Sequence, residues 1–301
     1  MDVMDLAYLR SHPQQLPTFL KHQRIRETPV PGGSICAASR LTLDDGASLF
    51  VKAWPEQAAS PVPESFFATE AAGIEWLRTP TGPPLPEVVV ALPELLALGW
   101  IDHGEPTRAA AETFGRELAI MHRAGAAEFG AGWPGFIGAL TQDNTPSDGP
   151  WPLWFGERRL RPYLRLSADG GALSASDVTD VERLINHIEG YGGAEPPSRI
   201  HGDLWPGNLL WGADRRVWLV DPAAHGGNRE TDLAQLALFG GASELDSILG
   251  TYQEEWPLAE GWRERVPLHQ LHLLLVHTAL FGAAYRPAVR EALDVLLRPR
   301  R

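Results

Sequence analysis

The sequence predicts an α+β fold in two lobes, a small antiparallel β-rich one with one main helix and a larger α-helical one. Three observations predict it. Short apolar runs in the first hundred or so residues alternate or are bounded by glycine, proline and aspartate, as strands are. After a leading segment, residues 64–78 alone in that stretch repeat apolar side chains at helical spacing. Beyond residue 102 helical patterns dominate, so the lobes are placed at 1–101 and 102–301.

The elements follow in order. Residues 1–24 read as a leading helix carrying Leu6, Leu9 and Leu16, interrupted by Pro13 and Pro17. Arg26 to Val30 is extended and leads into Pro31-Gly32-Gly33-Ser34. Cys36–Leu43 and Ala47–Ala53 read as a hairpin around Asp44-Asp45-Gly46. In Glu64–Arg78, Phe67, Ala71, Ile74 and Leu77 share a helical face. Val88–Leu92 and Leu95–Ile101 are strands split by Pro93. The expected helices that follow are Ala109–Ala124, Pro152–Leu166, Ser176–Glu189, Glu230–Phe239, Glu244–Trp256, Arg265–Ala284 and Pro287–Leu297. Leu209–Trp211 and Val217–Val220 are short strands, and Gly125–Pro152 is a long loop. A β-rich lobe beside an α-rich one makes the cleft between them the natural ligand site.

Composition narrows the function. The chain has 301 residues, 44% apolar, with a net charge of −12. That field opposes non-specific binding to nucleic acid and to anionic membranes. No unbroken apolar run is long enough to span a bilayer, and the first 24 residues lack the pattern of a secretory signal. The only cysteine, Cys36, cannot form an internal disulfide, which fits a reducing, cytoplasmic setting. A monomer is the expected state. Only two lysines occur, Lys21 and Lys52, against 24 arginines, so a retained lysine is a candidate for chemistry.

The strongest signal is His201-Gly202-Asp203-Leu204-Trp205-Pro206-Gly207-Asn208, followed after a short hairpin by Asp221-Pro222-Ala223. Asp203, Asn208 and Asp221 would then point into one volume. Phosphoryl transfer from ATP needs such a set: a carboxylate to orient an acceptor hydroxyl and take its proton, and an amide oxygen with a second carboxylate as hard ligands for Mg²⁺. The spacing Asp-x₄-Asn, then thirteen residues to the next Asp, is similar to the catalytic and metal loops of eukaryotic-type kinases. Lys52 ends the apolar strand Leu49-Phe50-Val51, where a kinase lysine would hold the α- and β-phosphates. Glu70, eighteen residues on, is its best partner, ahead of Glu64 and Glu75. Gly32, Gly33 and Ser34 would let backbone N–H groups approach a triphosphate.

These segments carry a resemblance. Gly32-Gly33-Ser34-Ile35, Phe50-Val51-Lys52, Trp151–Phe155, His201–Asn208, Asp221-Pro222-Ala223, Arg229–Ala234, Leu238-Phe239-Gly240-Gly241 and Tyr285-Arg286 resemble the fructosamine/ketosamine 3-kinase family, related to aminoglycoside and choline kinases. The resemblance implies a two-lobed protein-kinase-like fold and ATP-dependent phosphorylation of the 3-hydroxyl of a ketosamine, free or protein-bound. It implies that Asp203 accepts the proton, that Asn208 and Asp221 hold Mg²⁺, and that Lys52 and Glu70 position ATP. The backbone of Trp100, Ile101 and Asp102 would read the adenine edge, and Asp232 would support the catalytic loop. Trp205, Arg229 and Glu230 are candidate acceptor contacts. Cys36 stands where an asparagine is common, and Asn228 replaces a histidine near the expected sugar pocket.

Bland roles are expected elsewhere. Most tryptophans belong to the core, although Trp151 and Trp154 are candidates for the cleft wall. His103, His122, His269, His272 and His277 read as core or surface residues. Arg158, Arg159, Arg161 and Arg165 read as a solvated helix face. Competing functions are a kinase for another polyol, amino alcohol or aminoglycoside, and a nucleotide-binding pseudokinase. A metal-dependent hydrolase built on His201 and Asp203 lacks the further histidines it needs.

Overall fold

The computed structural model describes residues 5–21, 26–31, 35–55, 61–191 and 195–298. Gly32, Gly33 and Ser34, expected to approach a triphosphate, lie outside them. The leading segment is two short helices rather than one. Asp5 caps α1 (Leu6–Ser11) by accepting from the Tyr8 amide. Pro13 then opens a 3₁₀ turn. Pro17 falls in the first turn of α2 (Leu16–Lys21), where its missing N–H costs nothing.

Five antiparallel strands follow: β1 (Arg26–Pro29), β2 (Ala37–Thr42), β3 (Ser48–Ala53) and, after helix α3 (Phe66–Leu77), β4 (Val88–Ala91) and β5 (Leu95–Gly99). Their order is β1-β2-β3-β5-β4. The two-residue period of a strand sorts β3 into two faces. Leu49 and Val51 join Leu9, Leu16, Leu41 and Val90 in a cluster that α1 and α2 cover. Phe50 and Lys52 point the other way, into a cavity.

The rest is mainly helical. Helix α4 (Arg108–Arg123) is capped by Thr107, which accepts from the Ala110 amide. Within the expected long loop lies a hairpin, β6 (Gly135–Ile137) and β7 (Leu140–Gln142). The expected helix 152–166 is α5 (Trp151–Phe155), a π turn over Gly156–Leu160, and α6 (Arg161–Asp169). Helix α7 (Ala175–Asn186) begins with a capping box between Ser174 and Asp177. Strand β8 (Ser198–Ile200) precedes the hairpin β9 (Leu209–Trp211) and β10 (Val217–Leu219), and pairs with β11 (His225–Gly227). Strands β6, β7, β8 and β11 were not expected; at three residues each they are too short to show a period.

Helix α8 (Arg229–Gln235) stops four residues earlier than expected, and Phe239, Gly240 and Gly241 all take positive φ. Helices α9 (Leu245–Glu255), α10 (Trp262–Phe281) and α11 (Arg286–Leu296) complete the chain. The helical run Trp262–Leu296 is long and apolar enough to cross a membrane by length and composition, although polar residues interrupt it. Half of its most apolar window is buried, and α10 packs on α6, α8 and α11 as a core helix.

Candidate active site

A cavity of about 930 Å³ opens between the inner face of the five-stranded sheet and the helical region. Lys52, Glu70, Asp203, Asn208 and Asp221 all line it. Antiparallel pairing seats Lys52 between Ala38 and Leu96, in the middle of the sheet. Its Nζ lies 2.6 Å from Glu70 Oε2 and 2.5 Å from Asp221 Oδ1. Glu75, a rival for that role, pairs with Arg78 instead. Burial alone would lower the Lys52 pKa, but the two carboxylates outweigh it and the shift is upward. Burial opposes ionisation of Asp221 as well; the charge of Lys52 wins and holds it below the usual carboxylate range. Glu70 is the weaker partner. Its Oε1 is buried without a hydrogen bond, and burial pushes its carboxyl up to about 7 against the pull of Lys52.

The catalytic-loop segment hangs from α8. The fully buried Asp232 accepts from the amides of His201 (2.7 Å) and Gly202 (2.9 Å) and meets His122 Nε2 at 3.0 Å. Gln235, one turn on, accepts from the Leu204 amide at 2.7 Å. Gly202 sits at φ +81, and a Cβ there would lie 2.4 Å from the Ala223 carbonyl oxygen, so glycine is required. His201 Nε2 lies 2.9 Å from the Val220 carbonyl, and its Nδ1 accepts from the Asp203 amide at 3.3 Å. Those partners select the neutral tautomer with Nε2 protonated, in line with the downward shift that burial gives this ring. The ring thereby ties the loop bearing Asp203 to the strand leading into Asp221. Asp221 itself takes a left-handed backbone, φ +57, which a non-glycine residue adopts at a cost.

Asn208 Nδ2 donates to the Asp203 carbonyl oxygen at 2.7 Å and to its Oδ2 at 3.2 Å. The amide hydrogens are thus committed, and Oδ1 remains as an acceptor. Asp221 likewise keeps a second carboxylate oxygen beyond Lys52. An amide oxygen and a carboxylate oxygen are hard donors that suit Mg²⁺, which keeps water and phosphate oxygens for its other positions. Among the described residues there is no group of three or more His, Cys, Asp or Glu that could hold a metal unaided. The donor set therefore fits an ion delivered with a phosphate ligand. Asp203 is pushed well above the usual carboxylate range, first by burial and then by the charge of Asp221.

At the connector, Trp100 and Ile101 line the cavity and Asp102 does not. The Trp100 amide donates to Ser48, and Asp102 accepts from the Ala213 amide and from Trp100 Nε1. Among the described residues the Ile101 peptide has no backbone hydrogen-bond partner. Cys36 also lines the cavity, its thiol pushed up to about 11 by burial.

Several sequence readings need correction. Arg229 and Glu230 do not reach the cavity: both are 2% exposed. Arg229 pairs with Glu195 and lies 3.8 Å over Trp256, while Glu230 pairs with Arg265. Asn228 is buried and caps α8 by accepting from the Glu230 amide, away from the cavity wall. Trp151 and Trp154 are core residues; Trp151 stacks on Phe155 and His269. Arg159 is 1% exposed, not a solvated residue, and stacks on Trp154. Trp205 does line the cavity, as expected, and so does His277, which had read as core or surface. With them come Phe239, Phe281 and Tyr285, which sequence reasoning missed as site residues. The runs Leu238–Gly241 and Tyr285-Arg286 were visible only as family likeness.

The sheet, the paired lysine and the two loops define a class: a kinase-like fold with the groups of a phosphoryl-transfer site. The model of one family, fructosamine kinase, matches residues 11–299, and the chain belongs to that family. It is 30% identical over 278 residues to a ketoamine kinase of Enterococcus faecium, covering 88% of this chain and 93% of that one. It is 32% identical over 281 residues to protein-ribulosamine 3-kinase of Arabidopsis thaliana, covering 89% and 82%. A solved structure assigned as fructosamine-3-kinase, from Thermobifida fusca, superposes with a TM-score of 0.85 at 48% identity, covering 91% of this chain and 94% of that one. Choline kinase from Cryptosporidium parvum, at 10% identity and a TM-score of 0.60, covering 97% and 93%, shares the fold alone.

Proposed function

We propose that this protein is an ATP-dependent kinase that phosphorylates the 3-hydroxyl of a ketosamine, a fructosamine or ribulosamine. The observation that carries it is the convergence of Lys52, Glu70, Asp203, Asn208 and Asp221 on one cavity in a member of this family. Asp203 orients the acceptor hydroxyl and takes its proton, its carboxylate fixed in place by the Asn208 amide. Lys52, held protonated by its two carboxylates, offsets phosphate charge at a fixed position. Asn208 and Asp221 are the residues that would hold Mg²⁺. When bound, ATP would supply the phosphoryl group and Mg²⁺ would offset the phosphate charge.

Residues 1–101 serve as the nucleotide lobe and 102–301 as the acceptor lobe. A complete set of five charged and amide groups supports catalysis over a pseudokinase. The product ketosamine 3-phosphate is unstable and releases its amine, which supports a role in deglycation or sugar-amine salvage. The lone cysteine supports a reducing, cytoplasmic compartment. The test is Mg-ATP turnover, read as ADP release, against fructosamines and ribulosamines, with aminoglycosides and choline as controls. Selective turnover of the ketosamines is expected. Equal or greater turnover of choline or an aminoglycoside overturns the acceptor class, and silence throughout with ATP bound returns the pseudokinase.

A further inference from the structure

The cavity continues past Asp203 into a zone walled by rings. Trp205, two residues beyond Asp203, meets Phe239 edge-on at 5.8 Å. Phe239 lies 4.6 Å from His277 and 6.0 Å from Tyr285, and His277 lies 5.5 Å from Phe281. Three features show that this is more than core packing. Phe239 and Phe281 remain 40% and 43% exposed, among the most exposed large apolar side chains. Phe239 sits at φ +53, a backbone strain that for a bulky residue points to a functional constraint. Among the described residues the charged side chains lining the cavity are Lys52, Glu70, Asp203 and Asp221, all at the catalytic end. His277 adds no charge: its Nδ1 is 2.7 Å from the Leu273 carbonyl, and burial lowers its pKa.

We propose that this ring of Phe239, Phe281 and Tyr285 seats the amine arm of the acceptor, the group on the ketosamine nitrogen opposite the sugar, and selects apolar or aromatic arms. The inference rests on the ketosamine reading and deepens it. A ketosamine nitrogen is a secondary ammonium in water near neutral pH. Ring faces attract such a cation and bury an adjacent hydrocarbon group. An arm ending in a carboxylate meets the negative faces of the rings, and among the described residues lining the cavity no arginine, and no lysine but Lys52, is there to pair with it. An arm with extra ammonium groups has more charge to desolvate than one ring set offsets, and among the described lining residues the carboxylates are Glu70, Asp203 and Asp221 at the catalytic end.

The test uses three ketosamines of one sugar, made from benzylamine, n-butylamine and glycine. The expected order of kcat/KM is benzyl, then butyl, then glycine, with benzyl ahead of glycine by about tenfold or more, chiefly through KM. Phe281→Ala and Phe239→Ala should each narrow the benzyl-to-glycine ratio, and Phe281→Leu, which keeps apolar area, should narrow it less. Thermal unfolding of each variant shows whether it folds; Phe281, exposed at a helix end, is the safer truncation. Equal use of all three arms by the unmodified enzyme, or an unchanged ratio in the folded variants, overturns the inference while leaving the ketosamine reading intact. Turnover of none of the three removes that reading and this inference with it.

Discussion

In the proposed reaction Asp203 is the residue that takes the acceptor's proton. Asn208 already anchors it through both its carbonyl and its carboxylate, so Asp203→Asn preserves size and position while removing the proton acceptor. We expect kcat to fall roughly a hundredfold to ten-thousandfold, with ATP affinity, measured by calorimetric titration, nearly unchanged. Turnover at the unmodified rate would remove Asp203 from its role. Glu230 gives the contrasting case, a charge kept for stability. Burial opposes its ionisation, yet two bonds from Arg265, at 2.6 and 2.7 Å, hold it down to about 2. A depressed carboxylate stabilises the fold above its unfolded pKa and loses that contribution as pH falls toward the folded value. From about 4.5 down to about 2, roughly 3 kcal/mol is at stake. Glu230→Gln should therefore unfold well below the unmodified protein at pH 7, and the gap should shrink as pH drops below 4.5. A gap independent of pH would exclude the mechanism. Both residues stood out in the sequence, for different reasons. The Asp-x₄-Asn spacing marks a loop whatever its surroundings. Glu230 sits in a family-like run, but nothing local to it shows that Arg265, thirty-five residues away, closes over it.

Helix α3 decides whether Glu70 reaches Lys52, and it is fastened from its other end. A Cβ on Gly73 would come within 3.1 Å of the Ala224 Cβ, three residues past Asp221. Trp76 packs edge-on against Trp133 at 5.5 Å, and Arg199 donates to the Trp76 carbonyl at 2.5 Å while lying over its ring. The helix is thus held in its pairing position by contacts present without ligand. Gly73→Val would push α3 off Ala224 and draw Glu70 from Lys52. The expected result is a rise of about tenfold in KM for ATP and a loss of about 1–3 kcal/mol in unfolding free energy, the usual cost of overpacking. An unchanged KM with reduced stability would show that α3 tolerates the shift. The helix was legible because Phe67, Ala71, Ile74 and Leu77 repeat at its period. Its fastening was not, because glycine in a helix reads locally as a weakness. The hairpin β6–β7 escaped notice for a related reason. Its Phe136 meets Phe66 at 5.1 Å, a tertiary contact that two three-residue strands do not advertise.

At the scale of the whole molecule, the division into 1–101 and 102–301 describes topology better than it describes the core. The fold class was legible because strand-like and helix-like patterns segregate along the chain. How the two parts share apolar surface was hidden, since no local pattern records which faces meet. One buried cluster contains Phe67, Ile74 and Leu77 of α3 and Leu96 and Leu98 of β5 together with Phe114 and Leu118 of α4, Leu233 of α8 and Ile248 and Tyr252 of α9. Exposing either part alone would strip water-excluded contacts from both. The sheet's opposite face has its own cluster with α1 and α2, and the later helices have another, but the shared cluster lies between them. Domains joined by a large apolar interface unfold together, whereas those joined by a small polar one separate. Scanning calorimetry should accordingly show one transition, with calorimetric and van't Hoff enthalpies in agreement. A saturating nucleotide should raise its midpoint without splitting it, because binding to the folded form stabilises whatever unfolds with the site. Two resolved transitions, with only the first moved by nucleotide, would mean that the sheet and α3 detach as a unit and that the shared cluster is too weak to couple them.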